Sequence, residues 1–334
     1  MTETKDRATP LTGRVLVQDP GYRMDEVTKL LAPLGLAAER VEGELASDDA
    51  VVLLSSDDYP LGVAELERLP SLRVAISGSV GFDHIALRAA AERGIWVGNT
   101  PAFCTTEVAD STIALILALL RGTVFLDRHV RAGGWDRTVT GPLRRLSSTK
   151  LGVVGLGRIG RAVADRARWL GLQVWATDAS PAALARLADG IRPAEFDELL
   201  GACDVVSLHV PLDRTAAPLI GKCELDLMPA GAMLVNTSRG GLVDLEALTA
   251  ALGSGRLRGA ALDVLPSEPP AADDPVRRLD NLILTPHAAW YSPDAEDEAF
   301  RQPIEAVAAL ATGHEPDGIL VRGTSIAPAL PERR

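Results

Sequence analysis

The sequence predicts an α/β protein in which parallel strands are covered by helices on both faces. Three observations carry that prediction. Short β-branched runs alternate with alanine- and leucine-rich stretches of helical spacing almost throughout the chain. A glycine-rich segment, Gly155-x-Gly157-x-x-Gly160, directly follows one apolar run and opens a helical pattern. A chain of 334 residues with 47% apolar content is long enough for two packed cores rather than one.

In the first half, strands are expected at residues 14–18, 51–54, 72–76 and 95–97, with a helix from Met24 to Leu34. A long helix should begin near Thr105 or Thr106, either of which can cap it, and run to about Leu120. Residues 121–150 are basic, glycine-containing and weakly periodic, and read as irregular. From Lys150 a second series of six strands is expected, at 151–154, 173–177, 205–209, 232–236, 259–264 and 282–285. Six is the count of a complete dinucleotide-binding sheet. Residues 293–311 read as a helix.

Each glycine of the 155–160 segment has a steric task. Gly155 permits a tight turn, Gly157 lets the backbone approach a pyrophosphate, and Gly160 lets helix pack on strand. The pyrophosphate would lie over the start of the helix at Arg158 and Ile159, where unpaired N–H groups favour an anion. Asp178 ends the next strand. A carboxylate there accepts hydrogen bonds from a ribose and repels a 2′-phosphate, so NAD(H) is expected in preference to NADP(H).

Downstream, three polar residues sit at predicted strand ends, where ligands of open α/β sheets bind. Arg239 offers a planar fork for a carboxylate or 2-oxo oxygen. His287 can exchange a proton at C2. Glu268, when ionised, favours the imidazolium form of a neighbouring histidine. A cation, a proton donor and a group that tunes the donor suit hydride transfer at a 2-hydroxy or 2-oxo acid.

With these residues in view, the chain resembles the D-isomer-specific 2-hydroxyacid dehydrogenases over nearly its full length. The resemblance rests on residues 236–244 (Asn-Thr-Ser-Arg-Gly-Gly-Leu-Val-Asp), 259–264 (Gly-Ala-Ala-Leu-Asp-Val), 267–269 (Ser-Glu-Pro) and 285–287 (Thr-Pro-His). It implies Arg239 as substrate anchor, His287 as acid/base and Glu268 as its partner. Further cofactor contacts are implied for Thr105, His209, Pro211, Thr215, Thr237, Ser238, Asp263 and His287. The backbone of Ser79, Val80 and Gly81 is implied as a carboxylate cradle, although the family's usual Gly-x-Gly is Ser-Val-Gly here. The stretch Thr285–Ser292 is most similar to the C-terminal-binding proteins, NAD-sensing corepressors, and implies that Trp290 shapes the substrate pocket.

The architecture implied is two Rossmann-like domains. A six-stranded doubly wound parallel sheet (104–288) is inserted into a flavodoxin-like substrate domain (1–103 and 289–334), with the active site in the cleft between them. The expected activity is NAD(H)-dependent interconversion of a 2-oxo acid and a D-2-hydroxy acid, in a homodimer formed through the NAD-binding domain. An apolar or aromatic 2-oxo acid facing Trp290 and Phe103 is the expected substrate. The alternatives are a corepressor-like interaction protein and a dehydrogenase of a small oxyanion such as phosphite.

Other classes fit poorly. A net charge of −11 gives no basic excess for nucleic acid or an anionic membrane. The three cysteines, Cys104, Cys203 and Cys223, show no CxxC pair or histidine at ligand spacing, so neither a disulfide scaffold nor a metal site is expected. The charged start predicts no signal peptide and a cytoplasmic location.

Overall fold

A computed structural model of the chain describes residues 9–327. The signal-peptide expectation for residues 1–8 lies outside them. The chain divides into two compact units, Met1–Phe103 with Ser292–Arg334, and Cys104–Tyr291.

In the first unit a six-stranded sheet runs in the order Leu36–Arg40, Gly13–Val17, Ala50–Ser55, Val74–Ser77, Trp96–Gly98, Ile319–Val321. The first five are parallel, with the 2-1-3-4-5 order of flavodoxin-like folds, and the last is antiparallel. Successive side chains alternate between two cores. Val15, Val17, Val52 and Leu54 pack with Ile304, Val307 and Leu310 of the helix Pro293–Ala311. Leu16, Leu53 and Ala75 face Leu66, Leu69 and Ala90 on the other side. Both faces are covered, as a parallel sheet requires. The expected helix from Met24 is α-helical to Leu31 and tightens to a 3₁₀ turn over Ala32–Leu34, where Pro33 has no N–H to continue it.

The second unit is built on a wholly parallel sheet in the order Leu282–Leu284, Leu257–Leu262, Ala232–Asn236, Val205–Leu208, Lys150–Val154, Gln173–Thr177, Ile191–Pro193. It has seven strands rather than the six expected. The extra one, Ile191–Pro193, is a short edge strand containing a proline, which only an edge tolerates. Strand order reverses between Lys150–Val154 and Val205–Leu208, and the crevice at such a switch point is where ligands of these sheets bind. Helices Thr105–Arg121 and Arg158–Trp169 cover one face, and Phe196–Ala202 and Leu245–Gly253 the other.

Three further expectations differ from the structure. Thr105 does not cap its helix but is its first residue, after Cys104, which makes no side-chain capping bond. Residues 123–131 of the segment read as irregular form a helix, ended by Ala132 and Gly133. The second unit also runs to Tyr291 rather than to 288. Ala288 and Ala289 are bonded to Asp263, and Ser111 Oγ donates to Ala289 O at 3.0 Å. No single helix among the described residues is long and apolar enough to cross a membrane.

Candidate active site

The glycine-rich loop leaves the strand Lys150–Val154 at its carboxyl end. Gly155 has φ +95°, and a Cβ there would lie 2.4 Å from the carbonyl oxygen of His209. A Cβ on Gly160 would lie 1.9 Å from Gly155 O, so only glycine lets helix and loop meet so closely. Gly157 differs from both, since a Cβ there would meet nothing within 4 Å. That open side lies at the start of the helix Arg158–Trp169, which has no side-chain cap and no acidic residue in its first turn. Its N–H groups are left for an anion. The loop therefore fits a dinucleotide's pyrophosphate on grounds of space and of charge.

Asp178 follows the next strand and is fixed against this loop. Its Oδ2 accepts from Leu156 N–H at 2.6 Å and its Oδ1 from Ser180 N–H at 2.7 Å. His209 N–H donates to Val154 O at 2.7 Å, and its Nε2 lies 2.8 Å from Ser207 Oγ. Burial pushes its imidazole down to about 3, so the ring is neutral at any working pH. Its Nδ1 and the hydroxyl of Thr105 are buried with no hydrogen-bond partner among the described residues.

Other expected cofactor residues carry hydroxyls with partners inside the protein. Thr237 Oγ1 meets Thr112 Oγ1 at 2.8 Å, and Ser238 Oγ donates to Leu208 O at 2.7 Å. Thr215 and Pro211 lie in an exposed loop, where Thr215 Oγ1 donates to Asp213 at 2.6 Å.

The structure brings Glu268 and His287 together. His287 Nδ1 lies 2.8 Å from Glu268 Oε2, and Glu268 Oε1 accepts from Leu265 N–H at 2.6 Å. Burial alone would raise the Glu268 carboxyl. The bond from His287, the Leu265 N–H and the charges of His287 and Arg239 outweigh it and hold the group below its ordinary value.

Arg239 reaches this neighbourhood on a loop stapled by a fully buried residue. Asn236 Nδ2 donates to Arg239 O at 2.8 Å, and Asn236 Oδ1 accepts from Ser238 N–H at 3.0 Å. A Cβ on Gly240 would lie 1.9 Å from Leu265 C, so this glycine lets the arginine loop abut the loop carrying Glu268.

Asp263 shows a role that the sequence reading missed. Its carboxylate is 2% exposed, and Oδ1 accepts from Thr285 Oγ1 (2.5 Å) and Ala288 N–H (3.0 Å), Oδ2 from Ala289 N–H (2.9 Å). Its carbonyl accepts from His287 N–H at 2.8 Å. Between these bonds His287 sits at φ +52°, the one positive φ outside glycine among the described residues. Such a conformation is uncommon for a non-glycine residue and persists where surrounding bonds impose it. The available signal was an aspartate at the end of an apolar strand, which is buried and therefore needs partners. Trp290 is half-buried, its ring edge-on to Tyr291 with centroids 5.8 Å apart.

In the first unit, Ser79, Val80 and Gly81 follow the strand Val74–Ser77. All three carbonyls are tied, Ser79 O by Thr100 N–H (3.0 Å), Val80 O by Asn99 Nδ2 (2.6 Å) and Gly81 O by Ser79 Oγ (2.8 Å). Among the described residues the N–H groups of Val80 and Gly81 donate to no protein acceptor.

The NAD binding domain of the D-isomer specific 2-hydroxyacid dehydrogenases matches residues 113–289. A glyoxylate reductase of Korarchaeum cryptofilum is 38% identical over 276 residues, 81% of this chain and 82% of that protein. A crystal structure of a glyoxylate reductase from Paecilomyes thermophila superposes with a TM-score of 0.83 at 27% identity, covering 93% of this chain and 98% of that one. A D-lactate dehydrogenase from Aquifex aeolicus, complexed with NAD and lactic acid, gives a TM-score of 0.79 at 29% identity, covering 92% and 99%. The chain belongs to the D-isomer specific 2-hydroxyacid dehydrogenase family and is an NAD-dependent oxidoreductase that interconverts 2-oxo and 2-hydroxy acids.

Proposed function

We propose that His287 is the acid/base of this reaction, Glu268 its electrostatic partner and Arg239 the anchor of the substrate's carboxylate or 2-oxo oxygen. The observation that carries the reading is the 2.8 Å contact between Glu268 and His287 Nδ1. It orients the ring and stabilises the imidazolium that must donate to a substrate oxygen. The bound nicotinamide supplies hydride for reduction and accepts it for oxidation. The chain's own residues hold the carboxylate, orient the oxygen and move one proton. Arg239 contributes a two-pronged donor, and the free N–H groups of Val80 and Gly81 suit the carboxylate. Gly155, Gly157, Arg158, Ile159 and Gly160 form the proposed pyrophosphate site. Asp178, beside it, favours NAD(H) over NADP(H) by repelling a 2′-phosphate. Thr105 and His209 each keep a buried polar atom available for cofactor contact, and Asp263 and Trp290 border the same loop as His287.

The substrate we infer is a small 2-oxo acid of the glyoxylate type, supported by the relative named above. Stopped-flow or steady-state NADH oxidation against glyoxylate, pyruvate, hydroxypyruvate and phenylpyruvate tests this. Preference for the smaller acids is expected. A protein that binds NADH but turns over none of them would overturn the enzymatic reading in favour of a corepressor-like role.

A homodimer through the second unit is supported by Trp135, 90% exposed, with Val130 and Val139 also exposed on the segment 123–149. Light scattering of wild type and Trp135→Glu checks it. A monomeric wild type would overturn it.

A further inference from the structure

We infer that Asn99 is a positioning residue for substrate binding, its side-chain amide fixing the peptide plane that carries the Gly81 N–H. This rests on the reading of Val80 and Gly81 as carboxylate donors, and goes beyond it by naming the side chain that aims one of them.

A trans peptide is a rigid plane in which C=O and N–H point in opposite directions. The Val80–Gly81 peptide is trans, so whatever holds the Val80 carbonyl also sets the direction of the Gly81 N–H. Asn99 holds it, its Nδ2 donating to Val80 O at 2.6 Å. The amide nitrogen must face that oxygen, because Oδ1 in its place would bring two acceptors together. The Gly81 N–H then points away from Asn99, and it donates to no protein acceptor among the described residues. Gly81 has no Cβ to restrict rotation about its own backbone, so the plane before it needs an outside tie.

Asn99 is itself fixed. It follows the strand Trp96–Gly98, is 7% exposed, and donates its N–H to Gly318 O at 3.0 Å. Gly318 has φ +83°, and a Cβ there would lie 2.3 Å from Asn99 O, so the chain entering the strand Ile319–Val321 closes tightly on this residue. The neighbouring plane is held differently. Ser79 O, which shares its peptide with the Val80 N–H, accepts from Thr100 N–H at 3.0 Å, and Thr100 Oγ1 lies 3.3 Å from it. Two consecutive residues thus hold two consecutive planes, Thr100 with its backbone engaged and Asn99 through its side chain alone. Losing the Asn99 amide frees the Val80 carbonyl and lets the Gly81 N–H swing, while the Val80 N–H stays held. The cost falls on ground-state binding of the carboxylate, because the proton and hydride are handled by other residues.

The test uses Asn99→Ala and the near-isosteric Asn99→Leu in the full chain, with oxamate as a carboxylate-bearing probe. In both variants the glyoxylate KM and the oxamate inhibition constant should rise about threefold to tenfold, the scale of one lost hydrogen bond. The turnover number should change much less, as when an interaction common to ground state and transition state is removed. The NADH dissociation constant should not move. The pyruvate KM should rise by the same factor as the glyoxylate KM, since the two acids share the carboxylate and differ only beyond it. Should Asn99→Ala fold poorly, Asn99→Leu also lacks the donor, leaves less empty space and carries the comparison. Unchanged KM and oxamate inhibition in a folded variant would overturn the inference. So would a loss confined to turnover, an equal loss of NADH binding, or a KM that rises for pyruvate but not for glyoxylate, which would make Asn99 a wall of the substrate pocket instead. If wild type neither reduces glyoxylate nor binds oxamate, the reading of the turn as a carboxylate site fails first, and the two failures are distinguished.

Discussion

Replacing Glu268 with glutamine should move the pH dependence of both reaction directions to lower pH. The carboxylate lies 2.8 Å from His287 Nδ1 and also accepts from Leu265 N–H. Two unit charges 4 Å apart attract by about 4 kcal/mol at an effective dielectric of about 20. Both side chains are 35% exposed, so solvent screening cuts this substantially. A remaining difference of roughly 1.4 kcal/mol corresponds to about one pH unit. Glutamine adds a second effect. Its single carbonyl oxygen can accept from Leu265 N–H or from the imidazole N–H, but not from both at full strength. If it keeps Leu265, its NH₂ faces Nδ1 and favours the neutral ring.

Reduction needs the imidazolium, so the reductive kcat/KM falls as pH rises through the His287 value. Oxidation needs the neutral ring and falls on the acid side. In Glu268→Gln both limbs should shift down by about one unit. The assay is NADH-dependent glyoxylate reduction and NAD-dependent 2-hydroxy acid oxidation across pH 5 to 9.5. His209 cannot supply these limbs, because burial holds it near 3. Coincident wild-type and mutant limbs would refute the pairing, and full activity in His287→Ala would remove the proton-transfer assignment.

Other perturbations separate the remaining parts of the site. Arg239→Lys should cost on the order of a hundredfold in kcat/KM, because lysine lacks the planar fork; an unchanged value measured by NADH oxidation would exclude Arg239 as the anchor. Gly157→Ala should leave the melting temperature unchanged, since its Cβ meets no protein atom within 4 Å, yet weaken NADH binding about tenfold by intruding on the pyrophosphate. Fluorescence titration reads this, and an unaltered NADH affinity would move the cofactor elsewhere. Asp178→Ala should narrow the preference for NADH over NADPH by removing a repulsion, and a wild type that uses both equally would refute the role given to Asp178.

What could be read from the sequence was chemistry carried by neighbouring residues. Gly155 and Gly160 stand in one short segment, where a Cβ on Gly160 would strike Gly155 itself; the atoms of His209 that crowd both come from beyond the strand Val205–Leu208 and are placed there by the fold. Central strands were legible because burial on both faces makes them continuous apolar runs, as in Ala50–Ser55. The strands that escaped lie at sheet edges: Leu36–Arg40, Ile191–Pro193 and Ile319–Val321 in the two large sheets, and Thr9–Pro10 and Ile326–Ala327, which pair only with each other. An edge pairs on one side only, so Leu-Ala-Ala-Glu-Arg can carry a helical composition and still form a strand.

The supports of the site were hidden for a different reason. Nothing around Pro286-His287-Ala288 announces a left-handed residue, as a glycine would. The conformation is imposed by Asp263, whose carboxylate gathers one hydroxyl and two N–H groups from the same loop. Asn236 acts similarly on Arg239 through its backbone, and Gly240 lets the two loops touch. Asp263 and Gly240 act on atoms from distant residues that the fold brings to them, whereas Asn236 acts on residues close along the chain, and its role shows only once it is known to be buried. His287 and Arg239 are recognisable by what they can donate. Their geometry depends on buried acceptors that, in sequence, look like ordinary strand ends. A substitution at Asp263 or Asn236 should therefore reach the chemistry through the conformation of these loops, while leaving both reacting side chains in place.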